Sequence, residues 1–155
     1  VVGALRLAGP IQLPSMDLLA AEDACANMGQ ALLNPPSVEG WQGGTEWVST
    51  GAYVQRVNFV SKILSDPDKI GLRNIIDKIK EKSSSSTLTH TQLVDYCLDI
   101  LGPLDVMDST KSGLNKYISR YPDLSWSDKS GSDSFDEAVV SLIQLIVSSI
   151  EYQNA

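Results

Sequence analysis

The feature that most constrains the fold is the stretch from Gly29 to Phe59, which lies between two segments of helical periodicity. Its loop part contains a proline pair, three glycines and two tryptophans: Pro35, Pro36, Gly40, Gly43, Gly44, Trp41 and Trp47. Glycine reaches backbone conformations that other residues avoid, and proline fixes φ and removes a hydrogen-bond donor. A long loop with two large aromatics is typical of a packed loop with one conformation. We therefore predict one long ordered loop in which Trp41 and Trp47 are largely buried.

The rest of the chain is dominated by apolar residues three or four positions apart, the spacing of amphipathic helices. The inward-facing sets are Leu18, Ala21, Cys25 and Met28; Tyr53, Val57, Val60 and Leu64; Leu72, Ile75, Ile76 and Ile79; Leu93, Val94, Cys97 and Leu101; Leu114, Tyr117 and Ile118; and Ala138, Val139, Leu142, Ile143, Leu145, Ile146 and Val147. No segment shows the strict alternation of a half-buried strand. The pattern predicts an all-α fold, a compact bundle of six or seven helices.

Helix ends are marked by capping and breaking residues. Gly29 and the pair Gly102-Pro103 are stop signals, whereas Thr91 is a candidate N-cap and Asp108 a candidate helix start. The polar stretch before Phe135 is interpreted as a solvated loop, so we expect the last long helix to begin at Phe135 and to form the core of the second half.

A hydrophobic content of 43% in 155 residues predicts one helical domain over residues 1–155 with a sizeable core. Four consecutive serines predict an exposed, flexible linker around residues 83–87. The opening residues Val1 to Leu7 look like the end of a helix, which favours a C-terminal fragment of a longer chain. The wide apolar face after Phe135 favours contact with the remainder of that chain or with another protein subunit.

Charge and residue spacing exclude several function classes. A net charge of −7 argues against nucleic acid as a partner, since phosphate binding needs clustered Lys and Arg. No apolar run is long enough for a membrane span.

Cys25 and Cys97 lack metal-ligand spacing, so buried free thiols are favoured, with a mutual disulfide as the alternative. The aspartates Asp123, Asp128 and Asp133 miss the EF-hand spacing. No metal, cofactor or catalytic residue is assigned, and a triad through His90 is disfavoured because no nucleophile elbow is present.

One set of residues resembles a known family signature. It comprises Gly29, Gln30, Leu33, Pro35, Pro36, Val38, Gly40, Trp41, Gly43, Gly44, Trp47, Val48, Thr50, Arg56, Asn58 and Phe59. This string is similar to the GQ-PP-V-GW-GG-W element, followed by an R-x-NF helix, of the bacterial family catalogued as domain of unknown function 1800. The closing residues Glu151-Tyr152-Gln153 resemble the family's S-P-E-Y-Q ending, with Ile150 in place of the usual proline.

The resemblance covers nearly the whole chain but only the C-terminal part of a typical member. It implies no known activity. Members are often encoded beside exported sulfatase-like proteins, which implies an extracytoplasmic or secreted location.

Two functions remain open from the sequence. The favoured one is a non-catalytic helical structural or partner-binding module. The alternative is part of a secreted hydrolase-like or carbohydrate-handling protein, with Trp41 or Trp47 stacking on sugar rings and Glu39 and Glu46 as acid and base. Arg56 and Asn58 complete the candidate contact residues, and one of them is expected to hydrogen-bond loop carbonyls.

Overall fold

Helices account for most of the described chain. The computed structural model describes residues 22–31, 33–41, 50–65, 68, 70–83, 85–102, 104–122 and 124–153. After helical residues 22–27 come six helices: α1 (Thr50–Ile63), α2 (Ile70–Lys82), α3 (His90–Leu101), α4 (Asp108–Ile118), α5 (Lys129–Val147) and α6 (Ile150–Gln153). Within these ranges the only β pairing is two isolated bridges, Ser37–Gly40 and Thr87–Ser125. The predicted all-α fold is confirmed. The expectations for Val1 to Leu7, Leu18, Ala21, Glu46 and Trp47 fall outside the described residues.

The long helix α5 is the centre of the bundle and packs against α1, α2, α3, α4 and α6. Its buried residues include Phe135, Leu142 and Ile143, which are fully shielded from solvent. The Phe135 ring lies 4.7 Å from that of Trp126, centroid to centroid, and the ammonium of Lys80 lies 5.4 Å from its centroid. The second half of the chain is therefore organised around α5, as its wide apolar face predicts.

Two expectations for α5 are wrong. The helix begins at Lys129, six residues before Phe135, because the carboxylate of Asp128 accepts a hydrogen bond from the Gly131 amide at 2.6 Å and caps it. Leu145 is 37% exposed rather than buried, although its spacing places it beside the apolar face of α5.

The inner faces of α2, α3 and α4 follow their sequence periodicity. All four inward positions of α2, Leu72, Ile75, Ile76 and Ile79, are buried. Leu93, Val94 and Cys97 are buried on α3, and Leu114 and Ile118 on α4. On α1, Val60 is buried and Tyr53 and Val57 are partly buried, and Leu64, directly after the helix, is also buried. Local apolar spacing therefore predicted most of the described core.

The N-cap of α3 is Thr89, which corrects the expectation of Thr91. The Gln92 amide donates to Thr89 Oγ1 at 3.3 Å, and the Thr89 amide donates to Gln92 Oε1 at 2.9 Å. This capping box places Thr91 inside the first turn. The helix ends before Gly102, whose φ of 118° lies in the region that favours glycine.

A buried ionic network joins α2 to α5. Asp136, 6% exposed, accepts hydrogen bonds from Arg73 Nη1 at 2.6 Å and from Lys80 Nζ at 2.8 Å. Lys80 also donates to Ser132 Oγ at 3.3 Å, and Arg73 donates to the exposed Asp68 at 2.7 Å. Because a buried carboxylate requires such partners, this network fixes how α2 meets α5.

The serine segment lies against the loop that precedes α5. The Leu88 amide donates to the Leu124 carbonyl at 2.9 Å, and the Trp126 amide donates to the Ser86 carbonyl at 3.1 Å. These two bonds flank the Thr87–Ser125 bridge. The backbone is thus paired from Ser86 onward.

Cys97 is a buried free thiol, and burial raises its pKa. Cys25 is also a free thiol, but it is only partly buried. No helix in the described ranges is long and apolar enough to cross a bilayer.

Candidate functional site

The described part of the signature loop, residues 33–41, contains a tight turn. The Gly40 amide donates to the Ser37 carbonyl at 3.1 Å, and the Glu39 amide donates to Ser37 Oγ at 3.3 Å. Gly40 has a φ of 97°, which a glycine adopts without steric cost. The turn places Val38 at its tip.

Three large apolar side chains of this loop point into solvent. Leu33 is 88% exposed, Val38 is fully exposed and Trp41 is 41% exposed. We call these three residues the loop surface. The expectation that Trp41 is largely buried is wrong, because the buried cluster of the described residues is formed mainly by the helices and does not include Trp41. Trp47 lies outside the described residues.

Of the acid and base candidates, the structure describes Glu39 alone. Glu39 lies exposed in the Ser37–Gly40 turn, and Glu46 lies outside the described residues. Asn58 is exposed on α1. The part of the chain that the structure describes contains no group of three His, Cys, Asp or Glu residues that could hold a metal ion.

The signature helix α1 is tied to the C-terminal helix α6. Arg56 Nη1 donates to Gln153 Oε1 at 3.2 Å. The expected bond from Arg56 or Asn58 to a loop carbonyl stays a prediction, because residues 42–49 of the loop lie outside the described residues. Gln153 Nε2 donates to the Val147 carbonyl at 2.6 Å, and the Tyr53 hydroxyl donates to the Ser148 carbonyl. The R-x-NF and E-Y-Q segments, far apart in sequence, thus meet in space.

A hydrogen bond of Glu151 connects α6 to the first turn of α4. Glu151 Oε1 accepts a hydrogen bond from the Thr110 hydroxyl at 2.6 Å. This bond is the main reason that the pKa of Glu151 is lowered, and backbone N–H groups, including that of Met107, add to the effect. Sequence reasoning did not assign a role to Glu151, Gln153 or Tyr53, although the E-Y-Q resemblance was a signal for the first two.

The single histidine is engaged in a structural contact. His90 Nε2 lies 2.9 Å from the Tyr121 carbonyl oxygen. Because a carbonyl only accepts, Nε2 carries the proton in this bond. The Tyr121 hydroxyl in turn lies 3.3 Å from Ser141 Oγ. In this arrangement His90 holds the α3 start against the segment that follows α4.

Comparison with known proteins agrees with the signature. The family model described as "Protein of unknown function (DUF1800)" matches residues 1–154. Neither the curated proteins nor the solved structures contain a match to the chain. The match extends from the first residues through the E-Y-Q segment, and therefore includes both the loop and α6. The chain belongs to the DUF1800 family, as the loop motif, the R-x-NF helix and the E-Y-Q ending together indicated.

Proposed function

We propose that this domain is a non-catalytic helical module that binds a protein partner through the loop surface. The observation that carries the proposal is the exposure of Leu33, Val38 and Trp41 within nine residues. Single exposed apolar residues are ordinary, but a group of them on one loop marks an interaction site. Large aromatic side chains such as Trp41 are also common anchors in interfaces.

The buried core of the described residues supports this proposal because it does not include the loop surface. It is formed by side chains of α1 to α5, by Leu64 directly after α1 and by Leu124 before α5. The family resemblance includes Leu33, Val38 and Trp41, although none of them belongs to that core. Contact with a partner explains why these exposed residues of the loop surface are apolar. The partner is either another part of the same polypeptide or another protein subunit, and the resemblance favours an extracytoplasmic setting.

Site-specific photocrosslinking tests the proposal. A photoreactive amino acid replaces Val38 in the protein as it is expressed in its own cells, and a matched control places it at Asn74, an exposed position of α2. We expect a crosslinked protein of defined mass from position 38 only. The adduct should disappear when Leu33 and Trp41 are both changed to Ser. Equal crosslinking at positions 38 and 74 would contradict the proposal.

A second candidate function is carbohydrate binding, which the exposed ring of Trp41 favours. A tryptophan that stacks on a sugar must present one face to water, and the 41% exposure of Trp41 is compatible with this. Glu39 beside it could accept hydrogen bonds from sugar hydroxyls. Affinity electrophoresis in gels with soluble polysaccharides tests this. Retardation that is lost in Trp41→Ala and partly kept in Trp41→Phe would establish sugar binding, whereas equal mobility of all three proteins would exclude it for the sugars used.

A further inference from the structure

Arg56 differs from the other partly buried cations. Among the residues that the structure describes, the partly buried cationic side chains are Arg56, Arg73, Lys80 and Lys111. The last three lie 2.6, 2.8 and 2.7 Å from a carboxylate oxygen. Arg56 contacts no carboxylate in the described part of the chain. A shielded positive charge without a counter-ion is costly, so its presence calls for a reason.

The contacts of Arg56 leave most of its hydrogen-bonding capacity unused. A guanidinium has five N–H donors. In the described residues, the only side-chain bond of Arg56 goes to a neutral amide oxygen, that of Gln153, at 3.2 Å. Bonds from arginine to carboxylates are shorter, about 2.7–2.9 Å. The Gln153 amide is itself fixed by its bond to the Val147 carbonyl. Arg56 is therefore held at the α1–α6 junction without a carboxylate partner among the described residues.

We infer that Arg56 is a carboxylate-binding residue for a ligand that docks at the α1–α6 junction. The planar fork of one guanidinium matches the two oxygens of one carboxylate. Phosphate sites usually gather several cations, and the net charge of −7 repels a dianion more strongly than a single carboxylate. Gln153 keeps the guanidinium in position and supplies a weak acceptor while no ligand is bound.

This inference is independent of the loop surface, because it rests on different side chains. The carboxylate has two possible sources: an Asp or Glu side chain of a protein partner, or a sugar acid. These sources share one chemistry and are distinguished by the probes below. Loop variants test the proposed function, and Arg56 variants test this site.

NMR of the arginine Nε–H groups tests the site in the wild-type domain. The protein is titrated with sodium acetate and, at matched ionic strength, with sodium chloride. We expect the Arg56 resonance and the Gln153 side-chain amide to shift along a saturating curve with acetate but not with chloride. Arg120 is the internal reference, since it is exposed and, among the described residues, its guanidinium lies over the Tyr117 ring, at 5.0 Å, and pairs with no carboxylate. Equal responses of Arg56 and Arg120 to acetate would overturn the inference.

Further probes identify the carboxylate source. The concentrations at which N-acetyl-aspartate amide and glucuronate saturate the shift are compared. A lower concentration for N-acetyl-aspartate amide identifies a protein carboxylate, and a lower concentration for glucuronate identifies a sugar acid. Saturation by inorganic phosphate at lower concentration than by any carboxylate would overturn the assignment of carboxylate.

Two variants complete the test. Arg56→Gln should abolish the saturating shift of the Gln153 amide, while Arg56→Lys, which keeps the charge but lacks the fork, should weaken it. Backbone amide spectra outside α1 and α6 should stay unchanged. If Arg56→Gln does not fold, the comparison of Arg56 with Arg120 in the wild type decides the matter by itself.

Discussion

Arg56 and Gln153, 97 positions apart in the chain, are joined by a hydrogen bond from Nη1 of the arginine to Oε1 of the glutamine. The bond links the helix that follows the signature loop to the last described helix. The Tyr53 hydroxyl also donates to the carbonyl of Ser148, in the turn between α5 and α6. The R-x-NF helix and the E-Y-Q segment are therefore joined in the folded domain.

The buried carboxylate of Asp136 should be essential for stability. Asp136→Ala leaves Lys80 and Arg73 without their main partner, and removal of one member of a buried ion pair costs about 3–5 kcal/mol. We expect about 3 kcal/mol, because Arg73 is 42% exposed and keeps Asp68. Urea unfolding followed by circular dichroism measures the change. The control Asp133→Asn, an exposed position of the same helix, should stay within about 0.5 kcal/mol.

Two apolar positions of α5, Phe135 and Leu145, should differ sharply in their contribution to the free energy of unfolding. Phe135→Ala removes a fully buried ring that packs against Trp126, so we expect a loss of about 3–5 kcal/mol. Leu145→Ala should cost less than about 1 kcal/mol, because Leu145 is 37% exposed. The same urea unfolding experiment compares them. Similar losses for both variants would mean that Leu145 is buried by a partner in solution.

Trp41 should matter little for folding and much for binding. Its side chain is 41% exposed, so Trp41→Ala should lower the free energy of unfolding by about 1–2 kcal/mol, less than the loss from a buried aromatic. Thermal unfolding of the purified domain checks this, with Phe135→Ala as the reference. A loss as large as that of Phe135→Ala would show that the ring is packed and would count against the loop surface.

Glu151 should give the domain a defined pH dependence. Its pKa is lowered in the folded state, so its stabilising contribution is complete above the unfolded Glu pKa of about 4.3 and is lost as the pH falls through the lowered folded value. The difference in Tm between wild type and Glu151→Gln should therefore shrink on acidification from pH 6. A difference that stays constant down to pH 3 would contradict this role.

Limited proteolysis should first cleave between Lys82 and Ser86. This segment follows α2, and Ser85 and Ser86 are exposed. From Ser86 onward, the backbone bonds to Leu124 and Trp126 oppose the local opening that a protease requires. Mass spectrometry of the first fragments locates the cut. Initial cleavage in residues 33–41 would show that the signature loop opens more easily than the serine segment.

The sequence predicted the elements whose formation depends on local chemistry. The four inward positions of α2 and the end of α3 before Gly102 follow from apolar spacing and from a glycine stop. The sequence also indicates the Thr89 cap, because Gln92 stands three residues later and completes a capping box. The prediction of Thr91 as the cap overlooked this pair. The start of α5 was missed because its first residues are polar and only the Asp128 cap marks it.

Tertiary structure decided the rest, since burial depends on which elements meet. Asp136 can be buried as a carboxylate because α2 packs beside it and supplies two cations, which lie 63 and 56 positions away in sequence. Nothing in the spacing around Leu145 shows that it is exposed, and nothing near Trp41 shows that it lies outside the buried cluster of the described residues. Likewise, only the folded chain brings Gln153 to Arg56. Periodicity therefore determined which faces are apolar, whereas the packing of distant segments determined which charges are paired and which apolar residues stay exposed.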